Sequence, residues 1–511
     1  MDPRSESARG LTIAELLEGA PPHALALTGP GGPPITFGAL RERFERTRLD
    51  LAGRGIGTHD TVAVLLPNGP EAAALLLSVM SCCRLAPLNP SGRTPEITYA
   101  LRDLDAAALI TTPDFHEALA AAAACDVPVI AFLAGEEAGS ATFELETSRL
   151  PALRRAPQSP SSDEIALLLH TSGTTAHPKL VPLTHRNLCL SARAVAAGLR
   201  LTPEDRCLCV MPLFHIHGLV AGLLAPLSAG GSCICPPGFQ AMSFFPWLRD
   251  SAATWYTGVP TMHQAILARA PRSAGVHAQH KLRLIRSCSA PLYPTVRERL
   301  TSVFEVPVVN AYGMTEAAHQ ISSECPSGAQ TGVAVGHSTG PQIAIMDSED
   351  SLAPPGKIGE VVLRGPQLMN GYLRPPGSNE AAFRDGWFRT GDEGFLDDGA
   401  ALTLVGRIKE MINSGGEKIS PFEVEQVLLN HPGVMQAVAF AMPHPMLGEA
   451  VACAIVLRED CQVTADELRR HAAESLSRHK IPRRFIFTDE VPRGATGKLQ
   501  RIGLAARLGI A

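Results

Sequence analysis

The residues from His170 to Lys179 read His-Thr-Ser-Gly-Thr-Thr-Ala-His-Pro-Lys and form the densest concentration of chemistry in the chain. They follow an apolar run, Ile165 to Leu169, that reads as a buried strand. Hydroxyls, glycine-permitted turns and a lysine ammonium are thereby gathered at a strand's end. Each offers positive potential or a hydrogen bond to phosphate oxygens, so the stretch suits a polyphosphate such as that of ATP. A Walker P-loop is excluded, because it needs Lys-Ser/Thr entering a helix and here Lys179 stands between Pro178 and Leu180. Taken alone, the same composition also fits an ordinary Ser/Thr/Gly connector.

Five further groups follow in chain order. Pro212-Leu213-Phe214-His215-Ile216-His217-Gly218 puts an aromatic ring and two histidines at a strand-to-helix turn. Asn310-Ala311-Tyr312-Gly313-Met314-Thr315-Glu316 follows a strand and ends in a carboxylate. Phe388-Arg389-Thr390-Gly391-Asp392 lies in a turn-rich stretch. Gly406-Arg407-Ile408-Lys409-Glu410 comes just before Ser414-Gly415-Gly416-Glu417-Lys418-Ile419-Ser420-Pro421. Pro492-Arg493-Gly494-Ala495-Thr496-Gly497-Lys498 lies near the carboxyl terminus.

The elements that must position these groups read as layered α/β. Strand-length apolar runs, Thr61–Leu66, Ala107–Thr111, Val127–Phe132, Arg206–Met211, Leu282–Cys288 and Val306–Asn310, alternate with helix-length segments such as Glu71–Cys83. Gly135–Pro160 is polar and reads as a surface connection. From Gly340 to Val405, short alternating runs and an Asp397-Asp398-Gly399 hairpin signal predict a smaller β-rich unit. Beyond it, Ser420-Pro421 starts a helix with Glu423 and Glu425 in its first turns. Runs at Met435–Phe440 and Val451–Val456 and a helix from Thr464 complete a separate α+β domain, with its boundary close to Lys409.

Composition narrows the partners. At 511 residues the chain needs more than one core. A formal net charge of −5 with scattered arginines excludes nucleic-acid binding through bulk positive charge. Among twelve cysteines there is no Cys-x-x-Cys, and Cys207, Cys209, Cys233 and Cys235 read as buried free thiols rather than a zinc site. Met1–Ala20 does not read as a secretory leader, Ala72–Cys83 is too short to span a bilayer, and Leu508–Ala511 matches no organelle address. A cytoplasmic protein without a membrane span is expected.

In their order and separations, the six motifs resemble the adenylate-forming superfamily of acyl-CoA synthetases, peptide-synthetase adenylation domains and firefly luciferase, from about Leu25 to Arg501. The resemblance implies a large amino-terminal domain, residues 1–408, of two α/β subdomains and a β-barrel-like piece. A small mobile α+β domain, residues 409–511, follows. It implies that ATP and magnesium activate a carboxylic acid to an acyl-AMP with release of pyrophosphate, and that the acyl group then passes to the thiol of coenzyme A. Two anions must approach each other in the first step, so the site has to neutralise charge while holding them in line.

Site residues carry over on the same basis. Thr171, Ser172, Gly173, Thr174, Thr175 and Lys179 would cradle the β- and γ-phosphates. Ser289, Ala290, Pro291, Tyr312 and Gly313 would meet the nucleotide, with Tyr312 stacked on adenine. Thr315 would touch the α-phosphate and Glu316 would help hold magnesium. Asp392 would accept from the ribose hydroxyls with Arg407 beside it. Lys498 would reach the α-phosphate and the carboxylate, whereas an isolated loop lysine is by default solvated. Lys409 would be the hinge that exchanges Lys498 for Gly415, Gly416 and Lys418 in the thiol step. The acid would lie among His215, Thr257, Ser287, Ser289, Gly313, Met314 and His319, with His215 as its gate. His319 reads equally as a histidine that satisfies a nearby carbonyl, and His217 as a structural residue at a helix start.

The chain departs from the superfamily pattern at Ala176 and Leu180, where glycine is usual. Glycine tolerates positive φ and close backbone approach, so the departures imply a stiffer phosphate loop. A nucleotide-binding regulator with degraded chemistry is the contrary reading, and retention of Glu316, Asp392, Arg407 and Lys498 opposes it. The wording around His170–Gly173, Trp255–Thr261 and Ser287–Ala290 looks closest to the oxalyl-CoA synthetase branch. Gly313 stands where that branch leads one to expect alanine, which would open space for a bulkier acid. The acceptor is left between coenzyme A and the phosphopantetheine of a carrier protein, and nothing specific supports a luciferase-type oxidation.

Overall fold

The computed structural model describes residues 11–135, 142–146, 156–171, 178–270, 280–328, 334–491 and 501–510. Two large sheets dominate it. One has seven strands in the order Phe143–Glu146, Val129–Ala134, Ala106–Thr111, Thr61–Leu65, Arg84–Pro87, Ile165–Thr171 and Lys179–Thr184. The other has nine, with Trp255–Gly258, Leu284–Ser287 and Val308–Met314 running parallel near its middle. Thr61–Leu65 is buried at every position, as befits a parallel strand covered on both faces.

Helices Pro70–Met80 and His185–Leu199 each touch strands of both sheets and so form a shared middle layer. Pro70 supplies the first helical residue, where its missing N–H costs nothing, and nearly every side chain of that helix is buried. Thr184 caps the second helix by accepting from Asn187 N, and Asn187 returns the bond to Thr184 N.

Two expectations change in detail. The stretch read as a surface connection contains a strand, Phe143–Glu146, paired antiparallel with Val129–Ala134. Only Phe143 and Leu145 turn inward while Glu144 and Glu146 face out, so the polar composition concealed an edge strand. The segment after His215 is a π-helix, His217–Leu224, rather than an ordinary helix start.

A third sheet is antiparallel and built from Gln342–Met346, Gly359–Arg364, Phe383–Arg384, Trp387–Leu396 and Leu402–Arg407. Its last hairpin turns at Asp397, as its sequence predicts. A fourth sheet, of Ile412–Ser414, Glu417–Ile419, Val434–His444, Gly448–Leu457 and Arg484–Phe487, packs with helices Pro421–Leu429 and Ala465–Ala473 around a core of its own. The fold is thus mixed α/β with a large amino-terminal and a small carboxyl-terminal domain. Among the described residues no helix is long and apolar enough to cross a membrane.

Candidate active site

The carboxyl ends of Trp255–Gly258, Leu284–Ser287 and Val308–Met314 lie side by side, with Gly258 opposite Ser287 and Ser287 opposite Asn310. Ligands of α/β sheets bind at such ends. Tyr312 occupies the third of them. Its hydroxyl donates to Asp392 Oδ2 at 2.5 Å, and Arg407 Nε donates to the other oxygen at 2.9 Å. Asp392 and Arg407 are cross-strand partners in the third sheet, so backbone register sets their meeting. Burial, and then the charge of Asp392, hold the Tyr312 phenol well above its ordinary pKa.

Thr171 ends one strand and Lys179 begins the next, directly opposite it. The Lys179 ammonium lies over the Tyr372 ring, 4.2 Å from its centroid, and the Tyr372 hydroxyl donates to Glu316 Oε1 at 2.8 Å. Burial lowers the pKa of Lys179; Glu316 opposes this and the like charge of Lys409 adds to it. Thr315 and Glu316 form a single 3-10 turn at the end of Val308–Met314. Lys179, expected at the outer phosphates, and Glu316, expected at magnesium, are thus joined by a tyrosine that no motif singled out. Leu180 is buried within a strand, and its backbone exchanges hydrogen bonds with Leu373 and Arg374 without positive φ. The lost glycine therefore costs no strain at that position. Ser172, Gly173, Thr174, Thr175, Ala176 and Lys498 lie outside the described residues.

Three of the acid-pocket candidates, Ser289, Thr257 and His319, meet at His217. Its Nδ1 is 3.0 Å from Ser289 Oγ and its Nε2 is 2.6 Å from Thr257 Oγ1. The His319 ring stacks on it with centroids 4.8 Å apart. His217 starts the π-helix, as its position suggested, and its ring also ties Ser289, Thr257 and His319 together. His215 is half-buried against Phe214. Ser287 is buried, Ala290 and Pro291 are exposed, and Met314 is half-buried against the main core.

Arg286 was hidden in the sequence and is the most consequential addition. It is 0% exposed. Its Nη1 reaches His217 Nε2 and Thr257 Oγ1, each at 3.3 Å, and its Nη2 donates to Gln320 Oε1 at 2.7 Å. No carboxylate among the described residues pairs with it, and Nε has no hydrogen-bond partner among them. Burial pushes its pKa down. A charged residue inside a strand is by default an exposed one. The available signal was alternation, since Leu284, Arg286 and Cys288 share a phase and both neighbours are apolar.

Gly313 does not open the pocket as expected. A Cβ built there would lie 1.8 Å from the His319 carbonyl oxygen, so the space is filled by backbone. Ala318 and His319 both adopt positive φ, 49° and 91°, to bring that backbone in. For non-glycine residues such conformations cost about 1 kcal/mol or more each.

On the small domain, Gly415 and Gly416 form a two-residue turn between Ile412–Ser414 and Glu417–Ile419. Their φ values of 64° and 91° are those of a hairpin turn that glycine favours. Lys418 is exposed on this hairpin, and Lys409 lies in the short turn Ile408–Glu410 after Leu402–Arg407. A surface cavity of about 280 Å³ beside Arg48, His59, Cys82 and Cys83 lies apart from all of these residues. None of the nucleotide or acid candidates lines it.

Comparison with known proteins shows the family. A family model described as AMP-binding enzyme matches residues 17–373, and one described as AMP-binding enzyme C-terminal domain matches residues 423–498. The oxalate–CoA ligase of Arabidopsis thaliana is 40% identical over 509 residues, covering 96% of this chain and 97% of the relative. The sulfoacetate–CoA ligase of Cupriavidus necator is 37% identical over 487 residues, covering 94% and 93%. MatB from Rhodopseudomonas palustris is 28% identical in its ATP-bound crystal structure, with a TM-score of 0.86 and coverage of 97% and 98%. Its apo structure, at the same coverage, gives a TM-score of 0.76. The chain belongs to the AMP-binding enzyme family, and it is an acid–thiol ligase that uses ATP to form an acyl-AMP and coenzyme A to accept the acyl group.

Proposed function

We propose that this ligase activates a small carboxylic acid carrying a second anionic group and delivers it to free coenzyme A. The observation that carries the reading is Arg286, a fully buried guanidinium with no carboxylate partner among the described residues. An isolated buried charge is costly, and an anion that neutralises it recovers much of that cost. With His217, Thr257 and Gln320 all buried against it, the cluster suits an acid of few heavy atoms. Oxalate and sulfoacetate, the acids in the names of two relatives, each carry a second anionic group.

In this reading one carboxylate of the acid points at the nucleotide while the other anion rests near Arg286, His217 and Ser289. Tyr312 supports adenine, and Asp392, aligned by Arg407, accepts from the ribose. Thr171, Ser172, Gly173, Thr174, Thr175 and Lys179 hold the outer phosphates, and Thr315 holds the α-phosphate. Glu316 fits magnesium, because its carboxylate is a hard oxygen donor and that ion takes one or two carboxylates with phosphate and water oxygens. Bound there, the ion would neutralise charge on the phosphates. Lys498 spreads the negative charge that builds as the carboxylate attacks phosphorus. The small domain, from Lys409 onward, then turns so that Gly415, Gly416 and Lys418 attend the thiol step.

The test is acid-dependent exchange of labelled pyrophosphate into ATP over oxalate, sulfoacetate, malonate, acetate, benzoate and hexanoate. Exchange with the first three well above the last three supports the reading, and the reverse order overturns it. Saturable thioester formation with free coenzyme A separates this acceptor from a carrier protein.

A further inference from the structure

We propose that Tyr293 is a positioning residue that latches the small domain in the arrangement that makes acyl-AMP and releases it for the thiol step. Tyr293 belongs to the large domain, where it precedes helix Pro294–Phe304. Its ring stacks on Phe422 of the small domain, with centroids 5.0 Å apart and planes at 19°. Its hydroxyl donates to Glu425 Oε2 at 2.5 Å. Phe422 and Leu429 also pack against the core beneath the nine-stranded sheet.

Glu425 links this contact to the catalytic segment. It is 0% exposed and accepts from Ala439 N at 2.8 Å and from Arg501 through both oxygens, at 2.9 and 3.0 Å. Arg501 stands three residues beyond Lys498 in sequence and also donates to Glu410 Oε2 at 2.9 Å. Glu410 is the residue after Lys409. A continuous run of charge-assisted bonds therefore joins a tyrosine of the large domain to Glu410, beside Lys409, and to Arg501, three residues from Lys498 in sequence.

The balance of bonds suits a latch. Breaking it leaves Glu425 still bonded to Arg501 and Ala439, so departure forfeits one hydrogen bond, one ring contact and the packing of Phe422 and Leu429 without stranding a buried charge. The arrangement in which the bond exists scores closer to the ATP-bound than to the apo form of MatB. The proposal rests on the reading of Lys498 as the lysine of the first half-reaction.

The experiment uses the full chain carrying Tyr293→Phe, with Phe422→Leu as a second variant that weakens the ring contact alone. With oxalate, pyrophosphate exchange should fall about tenfold in kcat with KM for ATP little changed. Thioester formation from supplied acyl-AMP should be unchanged or faster. X-ray scattering of the ATP-bound chain, which needs no acid, should show a larger share of open molecules in both variants. Equal loss in the two half-reactions, or unaltered exchange and scattering, overturns the latch. Exchange that survives Lys498→Ala overturns the reading of Lys498 instead, a distinguishable result.

Discussion

Tyr312 and Asp392 come from different sheets, and one 2.5 Å hydrogen bond from phenol to carboxylate joins them. With Arg407 on the second oxygen, Asp392 is held in one orientation by the protein's own groups. Preorganised acceptors of this kind contribute to ligand binding because little ordering remains to be done. Asp392→Asn should raise KM for ATP by about tenfold or more, with KM for the acid nearly unchanged. Steady-state kinetics with each substrate varied in turn checks it, and a selective rise in KM for the acid would speak against the assignment.

Gly313 and the His319 carbonyl are in such close contact that even a methyl group has no place between them. Gly313→Ala should push Ala318 and His319 out of their left-handed conformations and separate the His319 ring from His217. We expect acid turnover to fall by about a hundredfold, given what small displacements cost a positioned reactant, while ATP still protects the chain against heat. Activity with larger acids should not appear. A variant that gains bulky aromatic acids would show that the space is available after all.

Lys498 and Lys409 should be separable by half-reaction. Lys498→Ala should reduce acyl-AMP formation by about a thousandfold and spare thioester formation from supplied acyl-AMP. Lys409→Pro should retain pyrophosphate exchange and lose thioester synthesis, because proline removes the backbone freedom a hinge needs. Normal thioester synthesis in the proline variant would exclude Lys409 as the pivot.

Acid should destabilise the fold through buried histidines. His185 accepts from Ile13 N, and burial lowers its pKa to about 4; burial lowers that of His263 to about 3. Below the ordinary histidine range the unfolded chain binds these protons and the folded chain does not. The contribution is complete above about pH 6.5 and is lost as pH falls towards the folded values, with His185 alone worth about 2 kcal/mol by pH 5. Thermal unfolding at about pH 7.5 and about pH 5 measures it, and His185→Asn should flatten the dependence. Stability unchanged across that range would contradict the buried neutral imidazole.

Much of this architecture was legible because the informative residues lie at the ends of strands whose apolar runs are unmistakable. Thr171 and Lys179 stand at such ends and the hairpin at Asp397 followed from its turn residues, whereas Tyr312, Glu316 and Asp392 were singled out by motifs resembling those of the superfamily. Three relationships were not, each for a physical reason. Arg286 occupies an inward strand position normally filled by an apolar side chain, and its meaning depends on His217 and Gln320 arriving from distant elements. Tyr372 bridges Lys179 and Glu316 from a loop without a recognisable pattern. Gly313 reads as a vacancy only until the positive φ of Ala318 and His319 is known, because absent side chains reveal nothing about the backbone that replaces them.

The central claim is that a buried arginine selects the acid, and Arg286→Met tests it most directly. Methionine keeps the length and apolar packing of the stem while removing the charge. Pyrophosphate exchange should fall by about a hundredfold or more with oxalate or sulfoacetate, as expected when a charge-assisted contact is lost, and should hold or improve with acetate. Equal loss with all acids, or undiminished exchange with the doubly anionic ones, would contradict the account.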